Sequence, residues 1–399
     1  MVNEKHIEDS KLLKKENLFE LFFCYAWIML FIYMVIRPII NSGLIIRFIW
    51  APSLFLLFFS SFKKTFTLRF FLQLIIPIAI IVFSVIANIE SINYMHILSA
   101  FCYISMFMVL RVCADIKLKK ITFDLIFYAN VALSFIFFIY TFTPIAHRVH
   151  TDGEEWVNRY FVFDLDNSNA AAMYIFSFYC VLLINLAYRK HKFPIIILMV
   201  LDLYMIYGTN CRSVMLSVIL VTLAYVFFCK KRIPTFWLIL GIFIPIVFIV
   251  FYLALYNALD GERIILLNKS LFSGRENVFM IYLGYIDNWV AFLFGNYTKA
   301  ALQNAHNIVA AIISSLGIIG LGAFYSYFIN LLVVINNKET TSLRTVSLVC
   351  IVALFLQASM ESSFFLGGFP SIMSVSTFVM LSNYSDYPLK SDEAIAGAQ

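Results

Sequence analysis

One pattern repeats along the chain: apolar runs of about 20 residues, separated by polar connections that are mostly short. A helix of that length crosses the hydrocarbon core of a bilayer, so the pattern leaves little choice of fold. Only 13% of the residues are charged and 62% are hydrophobic, whereas soluble domains carry about 25% charged residues. Because no soluble core could hide this much apolar surface, the sequence predicts an all-α integral membrane protein.

Hydropathy predicts about twelve transmembrane helices, and the basic residues predict their orientation. Lys and Arg concentrate in the cytoplasmic loops of membrane proteins, and with the N-terminus inside, most basic residues of this chain fall on that side. Both termini are therefore predicted to be cytoplasmic, and the net charge of +6 is an orientation signal. The predicted spans are 18–36, 44–61, 70–88, 94–112, 121–142, 170–188, 194–208, 213–229, 234–256, 308–335, 345–361 and 365–382.

These spans are predicted to form a single polytopic membrane domain, residues 18–385. A cytoplasmic segment, residues 1–17, precedes the domain, and a flexible cytoplasmic tail, residues 386–399, follows it. Two connections on the outer side are long, about 143–169 and 257–305, and short interfacial helices are expected in both.

The even-numbered predicted spans direct their N-termini to the outer face, and distinctive polar or charged residues mark four of these starts. Asn169 lies where the sixth span begins, and Arg212 lies in the first turn of the eighth. His306 and Asn307 open the tenth span, and Glu361 lies beside the start of the twelfth. The free N–H groups and positive dipole end of a helix N-terminus favour anions. The sequence therefore predicts an anion site at the outer surface.

The second outer loop adds further cations. In SGRENVFMIYLGYIDNW, Ser273 and Glu276 have the spacing of a capping box, which predicts a helix with Arg275 in its first turn. A cation there opposes the helix dipole, an arrangement that makes sense where an anion is expected. Arg263 lies in the same loop and Arg159 in the first one. Because guanidinium groups bind phosphate oxygens in a bidentate way, the sequence predicts a pocket suited to a lipid-linked diphosphate.

Nothing in the sequence predicts a metal site or a cofactor. His147 and His150 are spaced as a ligand pair, but no third ligand has convincing spacing. Most of the seven cysteines lie inside apolar runs and lack the paired spacings of a zinc site or a disulfide framework. The pocket is therefore expected to work without either.

Four motifs follow one another between about residues 160 and 330: FDLDNSNAAAMY, TNCRSVMLSVI, SGRENVF and GNYTKAALQNAHNIVAAIISSLGIIGLGAFY. Their order and topology resemble those of the bacterial O-antigen polymerase and O-antigen ligase superfamily, which includes the Wzy-type polysaccharide polymerases. Members show an Asn before a small-residue helix, an Arg opening a later span, an outer loop with Gly-Arg, and His-Asn before a glycine-containing apolar helix. One difference is Cys211, because many members have a serine before the arginine.

The resemblance implies a metal-independent glycosyltransferase of the integral-membrane type. Its donor would be a glycan on undecaprenyl diphosphate, at the periplasmic face of the bacterial inner membrane. His306 would be the catalytic base or would orient the acceptor hydroxyl, and it is expected to be neutral because the helix dipole and a nearby arginine disfavour its cation. The diphosphate-binding residues would be Arg212, Arg275, Arg263 and Arg159, with Asn169, Asn307 and Glu361 in support.

The sequence leaves several functions open. A polymerase moves the growing chain onto the next lipid-linked repeat unit and builds O-antigen or capsular polysaccharide, whereas a ligase moves the finished chain onto the lipid A core of lipopolysaccharide. A lipid-linked oligosaccharide flippase or other transporter would place charges near the midplane, but here the polar groups gather at one face. The expected partners are undecaprenyl-diphosphate-linked glycans and membrane lipid, and not nucleic acid. A chain-length regulator and a flippase remain open as protein partners.

Overall fold

The computed structural model describes most of the chain, predominantly as packed α-helices. The backbone is described for residues 2–39, 43–62, 93–152, 155–160, 168–259, 274–300, 305–361 and 368–384, and for 75, 78–83, 86, 265–266, 269–270 and 365. Side chains are described for the same residues except 2–17, 43–47, 62, 148–160, 265–266 and 269–270. Most of the predicted span 70–88, Arg263 and the predicted tail 386–399 therefore lie outside the described residues.

The described helices follow the apolar runs of the sequence. In chain order they are α1 (Val2–Ile36), α2 (Gly43–Phe62), α3 (Tyr94–Asp115), α4 (Lys120–Tyr140), α5 (Ser168–Tyr188), α6 (Phe193–Gly208), α7 (Arg212–Phe228), α8 (Thr235–Ile242), α9 (Ile244–Ala258), α10 (Arg275–Gly284), α11 (Trp289–Phe294), α12 (Tyr297–Ala300), α13 (Ile308–Asn336), α14 (Ser342–Ala358) and α15 (Phe369–Leu381). Two antiparallel hairpins accompany them, β1 (His147–Asp152) with β2 (Glu155–Tyr160), and β3 (Ile265–Leu266) with β4 (Lys269–Ser270).

Helix length separates two groups of apolar helices. Among the described residues, five helices are long and apolar enough to cross a membrane, namely Leu18–Ile36 of α1, α3, α4, α5 and α13, and the bent pair α8–α9 makes a sixth. Five further apolar helices have 10–17 residues, namely Phe48–Ser61 of α2, α6, α7, α14 and α15. A 17-residue helix is about 25 Å long, shorter than the roughly 30 Å hydrocarbon core. The architecture is that of a multi-pass helical membrane protein, and the count of twelve spans stays a prediction.

The predicted span 234–256 is not one straight helix. It breaks between α8 and α9, which are bent by 44°, and Pro245 lies in the first turn of α9. Proline lacks the N–H of a normal helical residue and its ring clashes with the preceding turn, so the helix bends there. Phe243 at the break stacks on Tyr325 of α13, with ring centroids 5.0 Å apart and planes at 5°. The stack holds the bend against the bundle.

The first predicted outer loop contains a hairpin where an interfacial helix was expected. Within its described part, a short 3₁₀ turn (Pro144–Ala146) leads into β1, whose first residue His147 pairs with Tyr160 of β2. By this register two residues, Gly153 and Glu154, separate the strands in the sequence, and glycine is favoured at the first position of a two-residue hairpin loop. The Val, Thr, Trp and Tyr residues on either side favour strands. The strand β2 contacts α6. The second outer loop does contain short helices, α10 to α12.

The helix α13 is interrupted at Gly317, where φ is 69° and ψ is −174°. Its backbone meets Gly295, which follows α11 and has a φ of 79°. A Cβ atom on Gly317 would lie 2.2 Å from the carbonyl oxygen of Leu293, and one on Gly295 would lie 2.2 Å from the carbonyl carbon of Ser315. Both positions therefore require glycine, for the backbone conformation and for the space. This contact fixes the second outer loop to α13.

The helix α5 is the most deeply buried of the long helices, and it packs against α4, α6, α7 and α14. The bundle has two ends that matter below. At one end α5 and α13 begin and α14 finishes just before Glu361, and we call this the Glu361 end. At the other end α5 and α13 finish and α14 begins with Arg344 in its first turn, and we call this the Arg344 end.

Candidate functional site

A buried carboxylate lies at the centre of the Glu361 end. Glu361 is only 2% exposed, and its Oε1 accepts a hydrogen bond from Asn169 Nδ2 at 3.0 Å. Arg275 Nη2 forms an ion pair with the same oxygen at 3.5 Å, and His306 Nδ1 lies 3.1 Å from Oε2. We call these four residues the Glu361 cluster. Asn169 and Arg275 come from the starts of α5 and α10, and His306 precedes the cap of α13. The cluster connects all three to the segment just after α14.

The position of Glu361 is set by the last turn of α14. Its backbone N–H donates to the carbonyl oxygen of Gln357 at 3.0 Å. The buried Gln357 side chain in turn donates to Ser213 Oγ at 3.2 Å and accepts from Ser217 Oγ at 3.3 Å. Both serines lie in α7, and Ser213 follows Arg212 directly. The start of α7 is therefore tied to the segment that carries Glu361.

His306 is held in place by its neighbour Asn307. The Asn307 side-chain oxygen caps α13 by accepting two backbone N–H groups of the first turn at 2.8 and 3.2 Å. Its Nδ2 donates to the carbonyl oxygens of Ser359 at 2.9 Å and Pro245 at 3.3 Å. One buried amide thus connects the start of α13, the end of α14 and the bend before α9. This connection fixes the backbone on both sides of the contact between His306 and Glu361.

Arg275 is the first residue of α10, and the cap of that helix differs from the prediction. The expected capping box is wrong, because the helix is capped by Gly274, which has a φ of 76° and makes no side-chain cap. Glycine reaches this left-handed conformation without the steric cost that other residues meet. Glu276, expected to complete the box, is buried and accepts a hydrogen bond from the Tyr252 hydroxyl at 3.4 Å.

Arg212 begins α7, with Cys211 as the preceding residue. The charges of Arg275 and Arg212 both act on the Tyr252 hydroxyl. The Cys211 thiol lies in the electrostatic field of Glu361 and Arg275. Arg212 and Arg275, which come from different helices, therefore act on the same tyrosine, and Arg275 belongs to the Glu361 cluster.

Two residues of this region have an unusual backbone. Among the described non-glycine residues, those with a positive φ are Asn210, at 53°, and His306, at 54°. This conformation costs roughly 1–2 kcal/mol for a residue with a side chain, and such strain concentrates at functional sites. Asn210 lies two residues before Arg212, so both strained positions occur at the Glu361 end.

For two predicted site residues, Arg159 and Arg263, the structure describes no side chain. Arg159 belongs to β2, where its backbone is in register with Arg148, and β2 contacts α6, the helix that finishes four residues before Arg212. The Arg159 side chain and the whole of Arg263 lie outside the described residues. Their predicted roles therefore stay predictions.

Three residues that shape the site were not identified from the sequence: Tyr252, Glu276 and Gln357. Tyr252 and Gln357 lie inside apolar runs, where a tyrosine is typical of an aromatic belt. Glu276 matched a capping pattern and was interpreted by that pattern alone. The one signal in the sequence for these three residues is Gln357, a polar residue inside an apolar run, one helical turn before Glu361.

Comparison with protein-family models and with curated protein sequences finds no match. The chemistry of the region is therefore argued from its own geometry. The Glu361 carboxylate fixes one imidazole nitrogen of His306, which favours the tautomer with a proton on Nδ1 and a proton-accepting Nε2. The two arginines carry more N–H donors than one carboxylate accepts. Among the described residues, no group of three His, Cys, Asp or Glu side chains is arranged to hold a metal ion.

Proposed function

We propose that this protein is a membrane glycosyltransferase that polymerises undecaprenyl-diphosphate-linked oligosaccharide repeat units into O-antigen or capsular polysaccharide. The observation that carries the proposal is the contact of His306 with Glu361 at 3.1 Å, beside the Arg275 ion pair. It combines a proton acceptor with cations at one end of a membrane bundle. The motif order from about residue 160 to residue 330 supports the same assignment.

The membrane topology belongs to this proposal. Twelve spans with both termini in the cytoplasm place the Glu361 end on the periplasmic side of the inner membrane. The distribution of Lys and Arg supports this orientation, because the connections at the Arg344 end include the basic residues Lys117, Lys338 and Arg344. The donor and acceptor lipids are then both anchored beside the site.

The arginines would bind the diphosphate of the donor. The growing glycan leaves undecaprenyl diphosphate, so negative charge develops on the leaving group, and fixed cations stabilise such charge. Arg275 is aligned by Glu361, and this leaves its other N–H groups for phosphate oxygens. Arg212 is held near the same place by the hydrogen bond that its neighbour Ser213 accepts from Gln357.

His306 would act as the general base. The hydroxyl oxygen of the next lipid-linked unit attacks the anomeric carbon of the growing chain, and its proton passes to His306 Nε2. The bond between the anomeric carbon and the diphosphate oxygen breaks, and the diphosphate keeps the electron pair. Glu361 orients the ring and stabilises the imidazolium that forms, as the carboxylate does in hydrolase triads. General-base assistance contributes typically 10²–10⁴-fold in rate.

The test is complementation of a strain that lacks this chain, followed by analysis of its surface polysaccharide and its lipid-linked glycans. A polymerase deletion leaves single repeat units on the lipid A core, and a ligase deletion leaves full-length chains on the undecaprenyl carrier. We expect the first result, with rescue by the wild type and no rescue by His306→Ala or Arg275→Ala at equal protein levels. Full-length chains on the carrier would instead identify a ligase, and normal chains made by both variants would overturn the catalytic assignment.

A further inference from the structure

A second cavity lies at the Arg344 end, away from the Glu361 cluster. Its volume is about 820 Å³. It is separated from Glu361 by the length of α14, roughly 25 Å at 1.5 Å per residue. The mechanism described above uses none of its lining. The ends of α3, α5, α13 and α15 and the first turn of α14 contribute its walls.

Arg344 is the unusual residue of this cavity. It lines the cavity and is only 8% exposed. Among the described residues, its Nε and Nη1 atoms are buried without a hydrogen-bond partner. A buried charge without partners is costly, because its lost hydration is not replaced. The protein therefore carries a guanidinium that lines a cavity and has two donors without an acceptor among the described residues.

The position of Arg344 in its helix adds to this cost. Arg344 lies in the first turn of α14, which is capped by Thr341 through a hydrogen bond to the Arg344 N–H at 3.2 Å. A cation in the first turn opposes the helix dipole, whereas an anion there is favoured. Thr341, Ser342 and Leu343 line the cavity together with Arg344. The N-terminus of α14 and the Arg344 guanidinium therefore both favour an anionic ligand.

Lys338 supplies a second cation, which two hydrogen bonds hold in place. Its ammonium donates to the carbonyl oxygen of Ala114 and, at 2.9 Å, to Asn383 Oδ1. Burial lowers the Lys338 pKa by desolvation, and the nearby Arg344 charge acts in the same direction. Lys117 also lines the cavity, which includes the acidic Asp115 and Glu339 as well. Asp115 is paired with Arg111 at 2.7 Å and also acts on Lys338, while Glu339 acts on Arg344. Within the described part of the chain, the lining still holds three cations and two acids.

We propose that this cavity binds a phosphate group, held by the Arg344 guanidinium and Lys338 at the first turn of α14. The phosphate belongs either to an anionic lipid headgroup or to a soluble phosphate ester. Basic pockets between membrane helices on the cytoplasmic side are typical binding sites for such headgroups. The phosphate accepts the hydrogen bonds that Arg344 lacks, and its negative charge is favoured by the positive end of the α14 dipole.

The test measures thermal unfolding of the full-length protein, purified in neutral detergent and stripped of lipid. The two probes are phosphatidylglycerol, with phosphatidylcholine as its uncharged counterpart, and millimolar inorganic phosphate. We expect phosphatidylglycerol to raise the Tm by several degrees and to lose this effect in Arg344→Gln. Arg232→Gln is the matched control, because Arg232 is exposed and its Nη2 binds Asn337, next to Lys338. That variant should respond as the wild type does.

The two arms separate the sources of the phosphate. Stabilisation by phosphatidylglycerol alone identifies a lipid headgroup, and equal stabilisation by inorganic phosphate identifies a soluble ligand. Arg344→Lys keeps the charge but loses the bidentate fork, so we expect roughly tenfold weaker binding of the effective probe. The lipid-free Arg344→Gln protein should unfold no earlier than the lipid-free wild type. The proposal is overturned if neither probe stabilises the wild type, or if Arg344→Gln and Arg344→Lys respond as the wild type does.

Discussion

At the Glu361 end, one buried carboxylate is shared by Arg275, His306 and Asn169, whereas at the Arg344 end a buried guanidinium has two nitrogen atoms without partners among the described residues. The same helix, α14, connects the two places. The difference teaches that burial of charge serves two purposes in this bundle. In the proposed function, the complete network fixes the geometry of the reacting group before substrate arrives. In the proposed phosphate site, the incomplete network keeps its donors for a ligand.

The largest expected effect comes from breaking the complete network. Glu361→Gln removes the charge that aligns Arg275 and His306 while it keeps the size of the side chain. We expect the rate of chain elongation to fall by about 10²–10⁴-fold, because the base loses its tautomer and orientation. The measurement is polymer length in the complemented strain, or turnover of purified lipid-linked units. Asp287→Asn, an exposed acid of the second outer loop, is the control that should keep wild-type activity. Elongation at the wild-type rate in Glu361→Gln would contradict the role of the cluster.

Gly317→Ala disturbs the support of His306 without touching its side chain. The new Cβ would meet the Leu293 carbonyl oxygen at 2.2 Å, at a φ of 69°. We expect the free energy of unfolding to fall by about 2–4 kcal/mol, since strain and overpacking each cost about 1–3 kcal/mol. Denaturant or thermal unfolding in detergent measures the loss. Gly322→Ala is the matched control in the same helix, because its Cβ has no atom within 4 Å; a loss of equal size there would disprove the explanation.

A smaller effect is expected for Arg212→Lys. The ammonium keeps the charge near Tyr252 but cannot make the bidentate contact with phosphate oxygens. We expect elongation to fall roughly tenfold, mainly through weaker binding of the lipid-linked donor. Donor titration with the purified protein separates KM from kcat. Unchanged kinetics would show that Arg212 contributes only its positive charge and makes no bidentate contact with the donor.

The smallest effect sharpens the contrast within the Arg344 end. Arg189, which follows α5, is paired with Asp124 at 2.5 Å and lies 3.9 Å from the Phe127 ring centroid. Asp124→Asn should reduce the free energy of unfolding by about 1 kcal/mol, because this pair is partly exposed. Arg344→Gln in lipid-free protein should not reduce it, since two nitrogen atoms of Arg344 have no hydrogen-bond partner among the described residues to lose. Unfolding curves of both variants in the same detergent make the comparison, and the reverse order would contradict it.

Much of the helical layout could be predicted from hydropathy. The apolar runs place α3, α4, α5 and α13 within a few residues of their observed bounds, because a lipid-facing helix must be apolar over its whole length. The kinks were not predicted. Gly317 and Pro245 lie in ordinary apolar runs, and only packing against another segment decides whether a glycine or proline there bends the helix.

The membership of the candidate site was predicted in part. Arg275, His306, Asn169 and Glu361 were each chosen for their places at helix ends, and the structure brings them together. Their contacts could not be predicted, because Glu361 lies 192 residues from Asn169 and 55 from His306 in the sequence. Glu361 was expected in a supporting position, whereas it is the residue that the other three contact. Helix packing, which a single sequence does not encode locally, decides this.

The contact between Gly295 and Gly317 links α11 mechanically to the segment that leads to His306. The first two turns of α13, from Ile308 to Leu316, lie between this contact and His306. A displacement of α11 would therefore also displace this short segment. Under the proposed function, a glycan bound to the second predicted outer loop would act on the position of His306 through this short segment, without passing through the lipid-embedded helices.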